Sequence, residues 1–148
     1  MFLLGGDMFE LVSGLAKKEF ICDLKLCRVL FEDNSYYPWI FLVPRCRNVK
    51  NMTFLSMEER LQLMREIALA EEVMKKEFPC DQINVAMIGN MTPQLHVHVL
   101  CRKKGDPDWP NTVWNNATKP YSEQDKQITI MKIKKAFDKE KILPVYKQ

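Results

Sequence analysis

Histidine is scarce in this chain: there are two, His96 and His98, in 148 residues. A metal centre built on imidazole would therefore have to find its third ligand in a cysteine or a carboxylate. The cysteines offer no ligand spacing. Cys22, Cys27, Cys46, Cys80 and Cys101 are odd in number and contain no Cys-x-x-Cys pair, so they are expected to be reduced thiols of a cytosolic protein. Long apolar runs are missing too, and nothing reaches the roughly 20 residues that a membrane span requires. Met1-Phe2-Leu3-Leu4 begins like a signal segment, but Gly5-Gly6-Asp7 interrupts it, so no export is expected. Repeats and low-complexity segments are absent. The charge excess is small, 22 Lys and Arg against 19 Asp and Glu, a net +3. That suits a small phosphate-bearing ligand and gives no ground for a nucleic-acid partner.

What is present describes a single domain over residues 1–148. A hydrophobic share of 47% with 28% charged residues is enough for a core. Both histidines fall in Gln94-Leu95-His96-Val97-His98-Val99-Leu100, which alternates at period two and reads as a half-buried strand. Gln94, His96 and His98 then share one face, and Leu95, Val97 and Val99 the other. On spacing alone three readings stand open. The histidines are structural, or they are two ligands of a metal site, or they do nucleophilic or acid–base work on a bound anion.

The flanks favour the anion. Residues 82–88 read as another strand, followed by Gly89-Asn90 and Thr92-Pro93, a turn signal. An antiparallel hairpin would bring the donors of Gly89, Asn90 and Thr92 near the histidine face, a cluster suited to phosphate. Arg102 follows as a further anion partner.

The rest of the chain reads in order. Residues 7–19 are weakly helical. Residues 24–31 read as a strand, 32–35 as a turn, and 36–43 as a second strand whose Pro38 marks an irregular start or an edge. Residues 56–78 form the clearest helix, opened by the capping box Ser56-x-x-Glu59. Its apolar positions Met57, Leu61, Met64, Ala68, Val73 and Met74 are expected to face the core. That helix is expected to pack on the face of Leu95, Val97 and Val99, leaving the histidine face open. Residues 103–121 read as a long loop whose Trp109 and Trp114 either cover the site or stack on a base, or else pin the loop to the body. Residues 122–140 form a C-terminal helix, with 24–102 as the core.

The stretch from Gly89 to Leu100 resembles the signature of the histidine triad (HIT) superfamily, His-φ-His-φ-His-φ-φ with φ apolar, preceded by a glycine-polar turn. The first triad position falls on Gln94, the middle one on His96 and the last on His98. This departure resembles a bacterial subgroup with Gln in the first position. The resemblance covers roughly residues 24–121 and includes residues 27–30, 37–45 and 102–114. It implies an α+β fold, with a mostly antiparallel sheet of about five strands, the long helix on one face and a C-terminal helix. It also implies catalytic roles for His96, His98 and Gln94, and substrate contacts from Asn34, Asn84, Gly89, Asn90, Thr92, Arg102 and Trp109.

The activity it implies is attack by His96 on the alpha phosphorus of a nucleotide, through a covalent nucleotidyl-imidazole. Gln94 has no acid to give a leaving group, so polyphosphate leaving groups are expected, and dinucleoside polyphosphates such as diadenosine tetraphosphate are the preferred class. No cofactor is required, although Mg²⁺ can accompany a polyphosphate substrate. The further expectations are a homodimer, a cytoplasmic location, and no membrane or nucleic-acid partner. Two other readings are carried alongside: a nucleotide-binding protein with little turnover, and, ranked last, a His-x-His metal site.

Overall fold

The computed structural model describes residues 9–114 and 116–140. Five strands form one sheet: β1 Glu19–Asp23, β2 Cys27–Phe31, β3 Trp39–Pro44, β4 Gln82–Ala86 and β5 Val97–Arg102. Their spatial order is β1-β2-β3-β5-β4, and every pairing is antiparallel. Among the described residues three α-helices accompany it: the single turn α1 Ser13–Ala16, the long α2 Met57–Glu77 and the C-terminal α3 Glu123–Glu140. A short 3-10 turn occupies Met52–Phe54. This is the expected α+β architecture. Among the described residues no helix is long and apolar enough to cross a membrane.

One face of the sheet carries the two long helices. Ile21, Val29, Ile40, Leu42, Val97 and Val99 meet Leu63, Ile67, Val73 and Met74 of α2 and Ile133 and Phe137 of α3 in one core. The expected packing of the long helix on Val97 and Val99 is therefore found. The other face was expected to be left open to ligand, and much of it is covered. A second cluster covers it, with Leu30, Trp39, Phe41 and Leu100 from the sheet, Leu15 of α1, and Tyr37 and Val113 from loops. Strands β3 and β5 are consequently buried along their whole length on both sides.

Several boundaries differ from the pattern, each for a local reason. Within 7–19 only Ser13–Ala16 is helical among the described residues, 7 and 8 lying outside them, and Glu19 already begins β1. That strand hides from a period-two reading because its register shifts between Phe20 and Cys22. Residues 24–26 belong to a turn rather than to β2, with Leu24 N donating to Cys27 O at 2.8 Å. Pro38 marks the irregular start and not an edge, since β3 runs between β2 and β5.

Helix α2 opens on its capping box as expected: Ser56 Oγ accepts from Glu59 N, and Glu59 Oε2 from Ser56 N. Val73 and Met74 face the core as expected, but the rest of the expected side, Ala68 included, does not. Met57, Leu61 and Met64 are 64%, 57% and 55% exposed, while Leu63, Ile67, Ala70, Val73 and Met74 are buried. Two apolar stripes lie on opposite sides of this helix, and periodicity does not say which one meets the sheet. Glu66 settles the rotation. Its buried carboxylate accepts from Leu26 N at 2.7 Å and Cys27 N at 2.9 Å, capping the β1–β2 turn. The carboxyl group is tolerated there because each oxygen accepts from a backbone N–H and Gln62 Nε2 donates to one of them as well.

Candidate active site

Strands β4 and β5 pair from Gln82↔Arg102 to Ala86↔His98, as the hairpin reading requires. Residues 87–96 connect them, and Gly89 sits in that connection at φ +69°. A side chain there would be strained. The extended run of β5 begins at Val97, so His96 stands just before the strand and His98 within it. Their ring centroids are 4.9 Å apart, and both are buried, at 7% and 9% exposure.

Each imidazole is held by one partner. His96 Nδ1 lies 2.6 Å from the carbonyl oxygen of Gln94. A carbonyl only accepts, so Nδ1 carries a proton, and in the neutral ring Nε2 keeps its lone pair. For His98 the order is reversed. Trp39 Nε1 donates to His98 Nδ1 at 3.2 Å, which leaves the His98 proton on Nε2. Burial, then the neighbouring His96, then the Lys18 charge push the His98 pKa down to about 3. It is a neutral N–H donor at neutral pH. Aromatic rings pack around it: Phe41 at 4.8 Å, Trp114 at 4.7 Å and Trp39 at 5.6 Å between centroids.

Beside His96 an open pocket is lined by Lys50, Asn51, Ile88, Gly89, Gln94 and Leu95 among others. It brings together three of the expected residues, His96, Gly89 and Gln94. Lys50 and Asn51 come from the segment after β3 and carry no motif that would have singled them out. Gln94 was expected to share in catalysis, but its amide is engaged away from the pocket. Its Oε1 accepts from Val12 N, and its Nε2 donates to the carbonyl of Glu10, both at 3.0 Å.

Other expected substrate contacts lie elsewhere. Arg102 is 2% exposed. It sits four positions along the strand from His98, about 13 Å at strand spacing. Its guanidinium donates to both carboxylate oxygens of Asp106, at 2.8 and 3.0 Å, and to Asn84 Oδ1 at 2.9 Å. It also lies over the Tyr37 and Trp109 rings. Burial opposes the charge of Asp106, but the Arg102 fork and the backbone N–H groups of Asp108 and Lys103 hold its pKa down to about 2. Arg102, Asn84 and Trp109 thus form a closed cluster that anchors the loop after β5. The two tryptophans divide the roles foreseen for them: Trp109 pins the loop, and Trp114 covers His98.

Asn34 is buried in a turn, its Oδ1 accepting from Tyr36 N at 3.2 Å. Asn90 is exposed. Thr92 is half-buried, and a Cβ on Gly14 would stand 3.3 Å from its Oγ1. The five cysteines are free, with Cys46 and Cys80 only half-buried rather than buried. Among the described residues no three of His, Cys, Asp and Glu gather as metal ligands.

Comparison with known proteins agrees with this fold. Residues 13–105 match the family model described as the HIT domain. A histidine triad protein from Bradyrhizobium japonicum is 33% identical, with 88% of this chain and 99% of that one covered at a TM-score of 0.85. One from Marinobacter aquaeolei VT8 is 34% identical, covering 90% and 98%, also at 0.85. One from Sinorhizobium meliloti 1021 is 31% identical, covering 86% and 96%, at 0.83. No curated protein matches the chain.

Proposed function

The chain belongs to the histidine triad (HIT) family, whose members are generally nucleotide-binding hydrolases and transferases, and from that premise we propose that it cleaves nucleotides at the alpha phosphate through a covalent His96 intermediate. The observation that carries the reading is the 2.6 Å contact of His96 Nδ1 with the Gln94 carbonyl. In the neutral ring it leaves the lone pair on Nε2, and that ring borders an open pocket. A neutral imidazole nitrogen is a competent nucleophile near pH 7.

Nε2 attacks the alpha phosphorus, the bond to the leaving oxygen breaks, and its electron pair leaves with that oxygen. Water then attacks the phosphorus, and the N–P pair returns to the ring. The nucleoside monophosphate departs, and the proton lost by water passes to solvent. His98, neutral and protonated on Nε2, donates to a non-bridging oxygen as charge spreads there. Gly89 keeps the turn open beside the same pocket. Gln94 supplies no acid, so the leaving group must depart as a stable anion. Dinucleoside polyphosphates, diadenosine tetraphosphate among them, fit that demand better than phosphoramidates with basic amines. The chain itself supplies the nucleophile, and Mg²⁺ enters only with the polyphosphate substrate.

The missing acid also favours a second reading, a nucleotide-binding protein with little turnover. One experiment separates the two. A substrate labelled at the alpha phosphate is mixed with protein in single turnover and quenched in alkali. Label is expected on His96 in the wild type and on nothing in His96→Ala. A substrate that binds and shifts the melting temperature without ever labelling the protein would leave the binding reading in its place.

A further inference from the structure

Residues 9–12 run across the histidine side of the sheet. Phe9, Leu11 and Val12 pack against the cluster that contains Trp39, Phe41 and Leu15. Among the described residues, the Gln94 side chain ties this strap to the active-site segment by hydrogen bonds. Gln94 faces it as a strand would, its Oε1 accepting from Val12 N and its Nε2 donating to Glu10 O, both at 3.0 Å. The same residue offers its main-chain carbonyl to His96 Nδ1. The peptide that bears this carbonyl is held on its other side as well, where Leu95 N donates to Val49 O at 2.8 Å. One residue thus joins the strap, through its side chain, to the ring that must be oriented, through its backbone.

We propose that Gln94 is a positioning residue, whose amide clamps residues 10–12 over the histidine wall and so holds the carbonyl that fixes the His96 ring. The N-terminal strap is then part of the active site although none of its side chains reaches the nucleophile. The choice of an amide follows from chemistry. A backbone segment presents one donor and one acceptor, and the amides of Asn and Gln return both side by side from one neutral side chain. A histidine at this position offers one nitrogen of each kind, but they point apart and do not pair side by side with a single strand.

The clamp is testable from either end. Gln94→Ala removes the side-chain half. Val12→Pro removes the backbone donor at little conformational cost, because Val12 already has φ −62° and ψ 157°, close to proline's own geometry. The Val12 carbonyl, which accepts from Leu15 N and Ala16 N at 2.9 Å to begin α1, is unchanged. With only two histidines in the chain, ¹⁵N-labelled imidazoles report each tautomer separately by NMR.

The wild type is expected to show His96 as the Nδ1–H tautomer and His98 as Nε2–H. Each variant should add an Nε2–H population at His96 and expose residues 9–12 to protease, while His98 stays as it was. The double variant should go little further than either single one, since both break the same contact. His96 remaining wholly Nδ1–H in both folded variants would overturn the proposal, even if the strap were loosened. If one variant fails to fold, the other decides the matter. This readout needs no substrate, so it stands or falls apart from the hydrolase reading. If that reading holds as well, kcat should drop about tenfold with KM nearly unchanged, less than the roughly hundredfold loss that a 1 Å misplacement brings.

Discussion

Arg102 marks the difference between a cation near a site and a cation in one. Its charge suggested a phosphate contact, but its fork is filled by Asp106 and Asn84 under two aromatic rings. Arg102→Ala leaves the Asp106 carboxylate without its partner, in a pair whose side chains are only 2% and 6% exposed. The expected loss is about 3–5 kcal/mol of stability, read from urea unfolding. A stable variant with a raised KM would mean that the arginine meets substrate instead. His98 gives a second prediction at this scale. Its pKa falls from 6.5 to about 3 in the folded chain, so below 6.5 the unfolded chain binds the extra proton. Stability from this group is complete above that pH and declines as the pH is lowered toward 3, by up to about 1.4 kcal/mol per pH unit. Carboxylates add their own losses lower in the range, so the test is a difference. Urea midpoints between about pH 6.5 and 5 should slope in the wild type and flatten in His98→Asn.

At the scale of elements, α2 separates what caps a helix from what aims it. The Ser56–Glu59 box is local, and Ser56→Ala should cost about 1 kcal/mol. The aim is set by packing and by Glu66. Leu63→Ala, at a fully buried position, should cost about 2–5 kcal/mol. Met64→Lys, on the exposed stripe, should change the stability of an isolated chain by less than about 0.5 kcal/mol. Chemical unfolding of the two variants side by side checks this, and equal losses would place the stripe in contact with something. The capping box was legible because it depends on residues three apart in sequence. The orientation was not, because its cause lies 40 residues upstream in the turn that Glu66 caps.

For the whole molecule, β4 is an edge strand, and Val85, Met87 and Ile88 along and beyond it are exposed. Bare edges of this kind invite pairing with another chain. The resemblance implies a homodimer, and the β4 edge is where we propose that it forms. Sedimentation of the wild type should give twice the chain mass of 17.4 kDa. Val85→Lys should give monomers, and a monomeric wild type at micromolar concentration would remove the dimer from the account.

The sequence by itself determined the period-two histidine run, the hairpin that carries it, the capped helix and the resemblance that joins them, because each is written in residues close together along the chain. It placed His96, Gly89 and Gln94 in one site and the long helix on the face of Val97 and Val99. The tertiary structure decided what the pattern leaves free. Trp39 and Trp114 come from other elements to dry and orient His98, so its tautomer depends on a neighbour 59 residues away. The far end of the same strand is closed by Asp106, which removes Arg102 from the site. The Gln94 amide turns to a strap 82 and 84 residues upstream. Side-chain alternation names the face that a residue occupies. Only the packed chain supplies its partner, because a hydrogen bond is set by distance and direction in space, not by separation along the sequence.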